Sequence, residues 1–286
     1  MKVAFAGLGV MGFPMAGWLA KAGHEVGVYN RSPEKARRWV EAHGGRLAHP
    51  AAEAARDAEL LVLCVGNDDD VRQVAGEALG SLAAGAVIVD HTTTSAVVAR
   101  EMAEIAARSG RAFVDAPVSG GQAGAENGQL TIMCGGDEAA FRKAEAVIGA
   151  YAKAIRLMGP PGSGQLTKMV NQICIAGVVQ GLAEGLHFAR RAGLDPQAVY
   201  EAISKGAAQS WQMDNRWTTM SQGKFDFGFA VDWMRKDLGL LLDEAARNGA
   251  RLDMTAMVDR FYAEVQAAGG NRWDTSSLVA RLERPE

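Results

Sequence analysis

The sequence predicts an α/β protein in which an N-terminal domain built on a parallel sheet is joined by a long helix to a C-terminal all-α domain. In the first half of the chain, short apolar segments alternate with segments of helical periodicity, the pattern of parallel strands connected by helices. Residues Ser163–Ala192 then run without proline and are apolar around most of a helix circumference. Only helical patterns follow. The stretch Gly159–Gly162 separates the two regions, and we place the domains at residues 1–161 and 162–286.

Each predicted strand of the first domain is a short apolar run bounded by Gly, Asn or Asp. In chain order these strands are Lys2–Ala6, Glu25–Tyr29, Leu60–Val65, Ala86–Asp90 and Ala112–Asp115, and Gln129–Cys134 and Ala154–Leu157 could extend the same sheet. Helical spacing of apolar residues predicts the connecting helices Pro33–Ala42, Asp69–Leu82, Ser95–Arg108 and Asp137–Ala150. In the second domain it predicts helices at Pro196–Ser204, Trp211–Ser221, Val231–Ala246 and Met254–Ala267.

The composition is that of a cytoplasmic enzyme or binding protein. A net charge of −3 gives no electrostatic basis for binding nucleic acid or an anionic membrane. The cysteines Cys64, Cys134 and Cys174 lack metal-ligand spacing, so we predict free thiols and no metal site. The N-terminal apolar run is too short for a signal peptide, and we expect no stretch that approaches the ~18 apolar residues of a membrane span.

The first predicted strand leads directly into the segment Gly7-Leu8-Gly9-Val10-Met11-Gly12, which opens a helix. A G-x-G-x-x-G pattern between a strand and a helix is the arrangement that a dinucleotide site requires. Gly7 permits the tight turn, Gly9 lets a pyrophosphate approach the backbone, and Gly12 allows close helix–strand packing. Free N–H groups at the helix start would face the phosphates. We therefore predict a Rossmann-like dinucleotide-binding domain, with an ordinary tight βα turn as the alternative.

The residues after the second predicted strand favour NADP(H) over NAD(H). A domain that prefers NAD usually has Asp or Glu there, which bonds the ribose 2′-hydroxyl. Here the segment reads Asn30-Arg31-Ser32, with no carboxylate to repel a 2′-phosphate. Arg31 offers a planar set of donors that matches a phosphate. Ser32 could add a hydroxyl donor or cap the next helix. NAD(H) is the second option.

Motifs in three separated parts of the chain point to one family. The glycine turn continues as Phe13–Ala16, with the letters Phe-Pro-Met-Ala. The segment Asp115–Gly121 reads Asp-Ala-Pro-Val-Ser-Gly-Gly, and Gly162–Gln165 precedes Lys168 and Asn171. These segments resemble the cofactor turn, the substrate loop and the catalytic helix of the β-hydroxyacid dehydrogenases. That family includes 3-hydroxyisobutyrate dehydrogenase, tartronate semialdehyde reductase and glyoxylate/succinic semialdehyde reductases. The resemblance extends over the whole chain.

The resemblance implies that Lys168 is the catalytic lysine and that Asn171 assists it. The residues themselves support this chemistry. Lys168 lies between apolar neighbours on the long helix, so desolvation should lower its pKa and let it exchange a proton near neutral pH. Asn171, three residues further on, shares its helix face. A lysine that extends to solvent at a helix margin is the alternative.

The resemblance also implies that Ser119, Gly120 and Gly121 bind the substrate carboxylate. A hydroxyl followed by two unobstructed backbone N–H groups can form a nest for a small anion. The segment follows the carboxyl end of a predicted strand, where open α/β sheets bind their ligands. A glycine-rich connector is the alternative. The expected partner is therefore a small carboxylate-bearing substrate.

Val65, Thr93 and Lys236 are the further cofactor residues that the resemblance implies. Lys236 begins a shorter matching motif, Lys-Asp-Leu. The chain departs from the family pattern in two places. Many members have Leu-Pro in the segment that reads Cys64-Val65-Gly66-Asn67 here, so contacts beside the nicotinamide could differ. Many also have Asn-Asn where this chain has Asn171-Gln172, which leaves the role of the second amide open.

The predicted reaction is reversible hydride transfer between NADP(H) and a short hydroxy acid or semialdehyde acid, with Lys168 as general acid/base. Glyoxylate, succinic semialdehyde, tartronate semialdehyde and methylmalonate semialdehyde are all compatible substrates. The rival functions are an imine reductase or a phosphogluconate-type dehydrogenase on the same architecture, and a non-catalytic NADP(H)-binding redox sensor. The joint presence of Ser119, Lys168 and Asn171 favours the dehydrogenase.

Two features of the sequence concern surfaces rather than chemistry. The long apolar helix has more apolar surface than one small domain covers, which predicts a homodimer or homotetramer. His91 follows a predicted strand near the expected cofactor, and we favour a structural role for it. Four aromatic residues of the second domain could either pack in its core or line the substrate pocket; they are Trp211, Phe227, Phe229 and Trp233.

Overall fold

The computed structural model describes residues 1–283 and divides into two compact units, residues 1–168 and a second unit from Met169 onward. The strands of the first unit are β1 (Lys2–Ala6), β2 (Glu25–Tyr29), β3 (Arg46–Leu47), β4 (Leu60–Leu63), β5 (Val87–Asp90), β6 (Ala112–Asp115), β7 (Val118–Ser119), β8 (Leu130–Gly135) and β9 (Ala152–Gly159). Its helices are α1 (Gly12–Lys21), α2 (Pro33–His43), α3 (Ala51–Ala54), α4 (Asp68–Leu79), α5 (Ala96–Arg108), α6 (Gly121–Glu126) and α7 (Glu138–Ile148).

The remaining helices begin with α8 (Ser163–Arg191), whose first residues belong to the first unit. The others are α9 (Pro196–Ile203), α10 (Trp211–Ser221), α11 (Val231–Asn248), α12 (Asp253–Ala267) and α13 (Leu278–Leu282). Short 3₁₀ turns occupy Gly149–Tyr151 and Thr275–Ser277. The predicted fold class, a Rossmann-like sheet domain followed by a long helix and an all-α domain, is confirmed.

The nine strands form one sheet in the order β3-β2-β1-β4-β5-β6-β8-β7, with β9 beside β8. Strands β1 to β6 are mutually parallel where they pair. The residues that follow each of these strands therefore lie along one edge of the sheet. The strand order reverses between β1 and β4, and open α/β sheets bind their ligands at such a reversal, outside the carboxyl ends of the strands.

The sheet is mixed rather than wholly parallel. Strand β8 runs antiparallel to β6 and β7 but parallel to β9. The two apolar runs that could extend the sheet do extend it, but the parallel direction expected from the first half does not hold for β8. A short apolar run indicates a buried strand without indicating its direction. The two-residue strands β3 and β7, and the short helices α3 and α6, were not predicted.

Alternate residues of the central strands contribute to separate apolar cores on the two faces of the sheet. In β1, Val3 and Phe5 belong to one cluster, whereas Ala4 and Ala6 belong to the other. Helices α1, α2 and α7 cover the first face, and α3, α4 and α5 cover the second. Burial on both faces explains why these strands read as continuous apolar runs in the sequence.

The second unit is helical, with one isolated β-bridge between Ala230 and Asp274. Helices α11 and α12 are joined by an ion pair in which the Arg235 and Asp259 side chains approach to 3.1 Å. The indole N–H of Trp217 in α10 donates to the carbonyl oxygen of Pro196 at the start of α9, at 2.9 Å. Directional side-chain bonds thus add to the apolar contacts between these helices.

Helix α8 corrects one expectation from the sequence. An 18-residue window of this helix has a mean hydropathy of 1.2 and at most two charged residues, so its length and composition alone would allow it to cross a membrane. The expectation that no stretch approaches this threshold is therefore wrong. Within the described chain, 44% of that window is buried. A core helix of a non-membrane protein passes the same test.

Candidate active site

The glycine turn is tied to the turn that follows β2. The Gly7 N–H donates to the carbonyl oxygen of Tyr29 at 2.9 Å, and the Leu8 N–H donates to Oδ1 of Asn30 at 2.8 Å. The Asn30 amide in turn donates to the Ser32 carbonyl oxygen at 2.9 Å. Asn30, a predicted cofactor residue, therefore uses both ends of its side chain to hold two adjacent loops together.

The three glycines of the turn meet different surroundings. A Cβ on Gly7 would lie 2.2 Å from the carbonyl oxygen of Cys64, and the φ of Gly7 is +98°. A Cβ on Gly12 would lie 1.9 Å from the carbonyl oxygen of Gly7. A Cβ on Gly9 would meet nothing within 4 Å. The protein's own backbone requires glycine at the first two positions, whereas Gly9 borders open space.

This open space suits a bound phosphate group. Helix α1 begins beside it, and no side chain within residues 1–283 caps the amino end of that helix. Uncapped N–H groups and the helix dipole both favour an anion there. The residues present therefore fit the pyrophosphate of a dinucleotide. Val10 and Met11, which were predicted to contact it, lie in the turn that leads into α1, and the Val10 side chain is exposed.

Arg31 extends into solvent from the turn after β2, with 85% of its side chain exposed. Its Nη1 lies 3.3 Å from Oδ1 of Asp70, and Oδ2 of Asp70 accepts the N–H of Gly66 at 3.1 Å. Asp70 was not predicted as a neighbour of Arg31. Ser32 occupies the predicted N-cap position, with Pro33 beginning α2, but among the described residues its hydroxyl does not supply the capping bond.

The loop after β5 carries Thr93 and is held from several sides. The Thr92 N–H donates to Oδ1 of Asp90 at 2.9 Å, and Oγ1 of Thr92 accepts the N–H of Val65 at 3.0 Å. The buried side chain of Gln165 reaches the same loop from the start of α8. Val65 and Thr93, both predicted cofactor residues, thus belong to one hydrogen-bonded edge of the sheet.

Ser119 and Gly120 lie directly before the short helix α6, at the end of β7. Gly120 and Gly121 have φ values of +129° and +61°, which favour glycine because such values strain residues that carry a Cβ. Ser119 is half-buried, and both glycines are exposed. A hydroxyl and unobstructed backbone N–H groups are accordingly presented together, as the anion-nest interpretation requires.

Asp115, at the end of β6, anchors the start of α8. This buried carboxylate accepts the N–H of Gly162 at 2.8 Å and that of Gln165 at 2.9 Å, one on each oxygen. Burial raises the pKa of Asp115 to about 6, and the backbone donors oppose that rise. This role of Asp115 was not predicted, because the bonds join residues 47 and 50 positions apart.

Lys168 is buried and lies three residues beyond Gln165 on α8, at the end of the first unit. Asn171, at the start of the second unit, donates its amide N–H to Oε1 of Gln172 at 2.8 Å. Gln172 donates to the buried Oδ2 of Asp237 at 2.7 Å. Oδ1 of Asp237 lies 3.3 Å from Nζ of Lys236. The second unit therefore joins two predicted site residues, Asn171 and Lys236, through two residues whose roles were not predicted.

His91 is a structural residue, as we favoured. Its Nδ1 lies 2.6 Å from the carbonyl oxygen of Ala116, and its Nε2 lies 2.7 Å from the hydroxyl of Tyr151. Complete burial lowers the pKa of His91 to about 4. Because a carbonyl only accepts, the neutral ring carries its proton on Nδ1 and accepts the tyrosine hydroxyl on Nε2.

The four aromatic residues whose role the sequence left open are not core residues. The exposed fraction is 57% for Trp211 and 42% for Trp233, and Phe227 and Phe229 are also exposed. The core-packing alternative is therefore wrong for these side chains.

Two family profiles match the chain. The profile of the NAD-binding domain of 6-phosphogluconate dehydrogenase matches residues 2–159. The profile of the NAD-binding region of NADP-dependent 3-hydroxyisobutyrate dehydrogenase matches residues 162–282. Together they span almost all of the sequence.

Proteins of known name are similar along their whole length. An uncharacterized oxidoreductase of Shewanella frigidimarina is 65% identical over 99% of this chain and 98% of its own. The 2-hydroxy-3-oxopropionate reductase of Escherichia coli is 34% identical over 99% of this chain and 97% of its own. Among solved structures, 3-hydroxyisobutyrate dehydrogenase of Mycobacterium tuberculosis with L-serine has a TM-score of 0.90 and 32% identity, with 99% of each chain covered.

Proposed function

Because the chain belongs to the β-hydroxyacid dehydrogenase family of NAD(P)-binding oxidoreductases, we propose that it transfers hydride reversibly between NADP(H) and a short hydroxy acid or semialdehyde acid. One observation carries the proposal. Lys168 is a buried lysine on a helix whose first turn is fixed by Asp115 to the carboxyl edge of the sheet. The glycine turn lies on that same edge. A proton-transfer group and a dinucleotide turn are thus supported by one scaffold.

In the proposed mechanism, the nicotinamide ring donates or accepts the hydride when the cofactor is bound. During reduction, the ammonium of Lys168 donates a proton to the carbonyl oxygen as negative charge develops on it. During oxidation, the neutral amine takes the hydroxyl proton. Asn171 lies on the same helix face as Lys168. Its Nδ2 donates to Gln172, which fixes the direction of its amide.

Ser119, Gly120 and Gly121 would bind the carboxylate of the substrate. The positive φ values of both glycines and the exposure of their backbone support this role. One relative is named for 2-hydroxy-3-oxopropionate, and the Mycobacterium tuberculosis structure contains L-serine; both are short acids that carry a hydroxyl group. We therefore propose a short acid, because one small nest and one proton donor can hold the two ends of such a molecule.

Arg31 would bind the 2′-phosphate of NADP(H). It is an exposed guanidinium two residues beyond β2, and Asp70 pairs with it at 3.3 Å. Its own segment lacks the carboxylate that would favour NAD(H). In Arg31→Ala we expect the catalytic efficiency with NADPH to fall by about tenfold or more, and that with NADH to change little. An unchanged ratio of the two efficiencies would refute the NADP(H) preference.

We propose a homodimer or homotetramer in the cytoplasm. Val170 and Phe188, on α8, leave 60% and 70% of their side chains exposed, which is costly for a surface that stays in water. A second copy of the chain would cover such residues. Light scattering at micromolar concentration tests this proposal, and a monomer mass would refute it.

The deciding experiment measures NADPH and NADH oxidation with glyoxylate, succinic semialdehyde, tartronate semialdehyde and methylmalonate semialdehyde. It is repeated with Lys168→Ala and with Lys143→Ala, a surface lysine whose ammonium donates to the Gly85 carbonyl oxygen. We expect turnover that falls by about 10²–10⁴-fold in the first variant and is unchanged in the second. Near-normal turnover in a folded Lys168→Ala protein would refute the mechanism.

The same panel separates the rival functions. Turnover only when an amine accompanies the carbonyl compound would indicate an imine reductase. NADPH binding, measured by fluorescence, without turnover of any substrate would indicate a redox sensor.

A further inference from the structure

We propose that Gln165 is a positioning residue that holds the Thr92–Thr94 loop in register with Lys168. The proposal rests on the proposed function, because that function gives Thr93 and Lys168 their roles at the cofactor and the substrate. The family resemblance and the comparisons assign no role to the side chain of Gln165. All the groups in the argument belong to the first unit, residues 1–168.

Gln165 is completely buried and uses both ends of its side-chain amide on the loop after β5. Its Oε1 accepts the N–H of Thr94 at 3.1 Å, and its Nε2 donates to the carbonyl oxygen of Thr92 at 2.7 Å. These two bonds lie on either side of Thr93. A single side chain therefore fixes the backbone just before and just after a proposed cofactor residue.

Both ends of this connection are rigid. The backbone N–H of Gln165 donates to Asp115, and a Cβ on the preceding Gly164 would lie 2.4 Å from the carbonyl oxygen of Met133, so the helix start is closely packed on the sheet. On the other side, Thr92 is bonded to Asp90 and to the backbone N–H of Val65, just after β4. A side chain between two fixed elements sets their separation.

Lys168 lies one helical turn beyond Gln165, about 4.5 Å further along the helix axis. The residues share a face of α8, since they are three positions apart. The position of Thr93 relative to Lys168 consequently depends on the length and the bonding of one amide. Small displacements of reacting groups cost rate rather than ground-state binding, and a shift of about 1 Å can lower the rate by roughly 10²-fold.

The chemistry at this position requires a donor and an acceptor in a fixed order. Glutamine supplies both. An ionised glutamate supplies only acceptors and would leave the Thr92 carbonyl facing a negative oxygen, whereas a protonated glutamate restores one donor and one acceptor on the same shape. Methionine has similar length and supplies neither strong bond. Comparing glutamine, glutamate and methionine at this position therefore distinguishes the effect of the two hydrogen bonds from the effect of side-chain size.

The experiment compares kcat, KM and the pH profile of Gln165→Glu and Gln165→Met with those of the wild-type enzyme. Gln180→Met is the matched control, because Gln180 is another buried glutamine of α8 and, among residues 1–283, its side chain bonds only to Glu184 on its own helix. For Gln165→Met we expect kcat to fall by about 10–100-fold at every pH, with the substrate KM within about threefold. For Gln165→Glu we expect a similar loss near pH 8 that is recovered by about tenfold or more as the pH is lowered toward about 5.5.

Two further measurements exclude a purely structural explanation. Melting temperatures at each pH show whether the variants are folded under the assay conditions. Hydrogen exchange of a peptide that contains Thr94 reports its amide directly, and we expect faster exchange in Gln165→Met than in the wild type or in Gln180→Met.

The outcomes distinguish this proposal from the proposed function. The positioning role of Gln165 would be overturned, and the proposed reaction left intact, by either of two results. One is a pH dependence of turnover that is the same in the wild type and in Gln165→Glu. The other is an exchange rate of the Thr94 amide that is unchanged in Gln165→Met. If the wild-type protein turns over no substrate, the proposed function fails, and the Thr94 exchange still decides whether Gln165 holds the loop.

Discussion

Two glycines of the cofactor turn, Gly9 and Gly12, should respond to alanine in opposite ways. At Gly12 the new Cβ would lie 1.9 Å from a backbone oxygen, so the backbone itself must move. At Gly9 the Cβ would meet nothing within 4 Å, so the free protein should tolerate it. The methyl group of Gly9→Ala would instead occupy space that the pyrophosphate of the cofactor requires. Alanine at position 12 should therefore destabilise the fold, whereas alanine at position 9 should weaken cofactor binding.

Overpacking by one methyl group costs about 1–3 kcal/mol. For Gly9→Ala this cost falls on the complex, and we expect the Kd for NADPH to rise by about 5–150-fold, since 1.4 kcal/mol corresponds to tenfold. For Gly12→Ala the cost falls on the folded state and lowers the melting temperature by roughly 2–4 °C per kcal/mol. We expect the melting temperature of Gly9→Ala to stay within about 1 °C of the wild type.

Gly80→Ala is the matched control, because Gly80 ends α4 with right-handed helical dihedral angles and a Cβ there also meets nothing within 4 Å. NADPH binding is followed by fluorescence and unfolding by circular dichroism. Wild-type affinity in Gly9→Ala would refute the placement of the pyrophosphate. A melting temperature as low as that of Gly12→Ala would refute the claim that the protein leaves this space open.

Three further predictions concern stability and reactivity. The pKa of His91 is lowered from 6.5 to about 4, so the neutral ring stabilises the fold above about pH 6.5 and this stability is lost as the pH falls toward 4. The stability advantage of the wild type over His91→Gln should shrink by about 3 kcal/mol across that range, and a constant difference in urea unfolding would contradict the burial argument. Burial raises the pKa of the Cys134 thiol to about 12, whereas Cys174 is exposed. A thiol reagent should therefore modify Cys174 in the native protein and Cys134 only after unfolding. Equal rates of modification of the two thiols in the native protein would refute this. Asp274 is buried and pairs with Arg216 at 3.1 Å, so Asp274→Ala should cost about 3–5 kcal/mol in urea unfolding, and a loss below about 1 kcal/mol would show that the pair is dispensable.

Strands with strong local signals were predicted well. The predicted bounds of β1, β2 and β6 equal the observed ones, because each is an apolar run that ends at a polar or glycine residue. Strands β3 and β7 have two residues each and exist only because a neighbouring strand offers a partner. No local pattern of two residues can indicate that partner. The antiparallel direction of β8 was missed for the same reason.

The candidate site also contains a part that could be predicted from the sequence and a part that could not. Motifs that are contiguous in the chain, such as Gly7–Gly12 and Ser119–Gly121, could be identified from the sequence, because their turn geometry is local. Asp70, Asp115 and Gln165 could not, since each bonds a predicted site residue, or the segment that carries one, across 39 to 73 positions of sequence. These three residues hold the predicted site residues in place. The part of the site that the sequence did not predict is therefore the set of side chains that support it.

The role of the second amide, which the sequence left open, follows from the direction of the hydrogen bonds in the second unit. The carboxylate of Asp237 is close to the Lys236 ammonium and only accepts, so it must face the N–H side of Gln172. The oxygen of Gln172 then faces Asn171, whose N–H donates to it and whose own oxygen points away from this bond. One buried carboxylate thus sets the orientation of two amides in succession. An asparagine at position 172 would be one methylene shorter between the same two partners, and glutamine here therefore matches the spacing between Asn171 and Asp237.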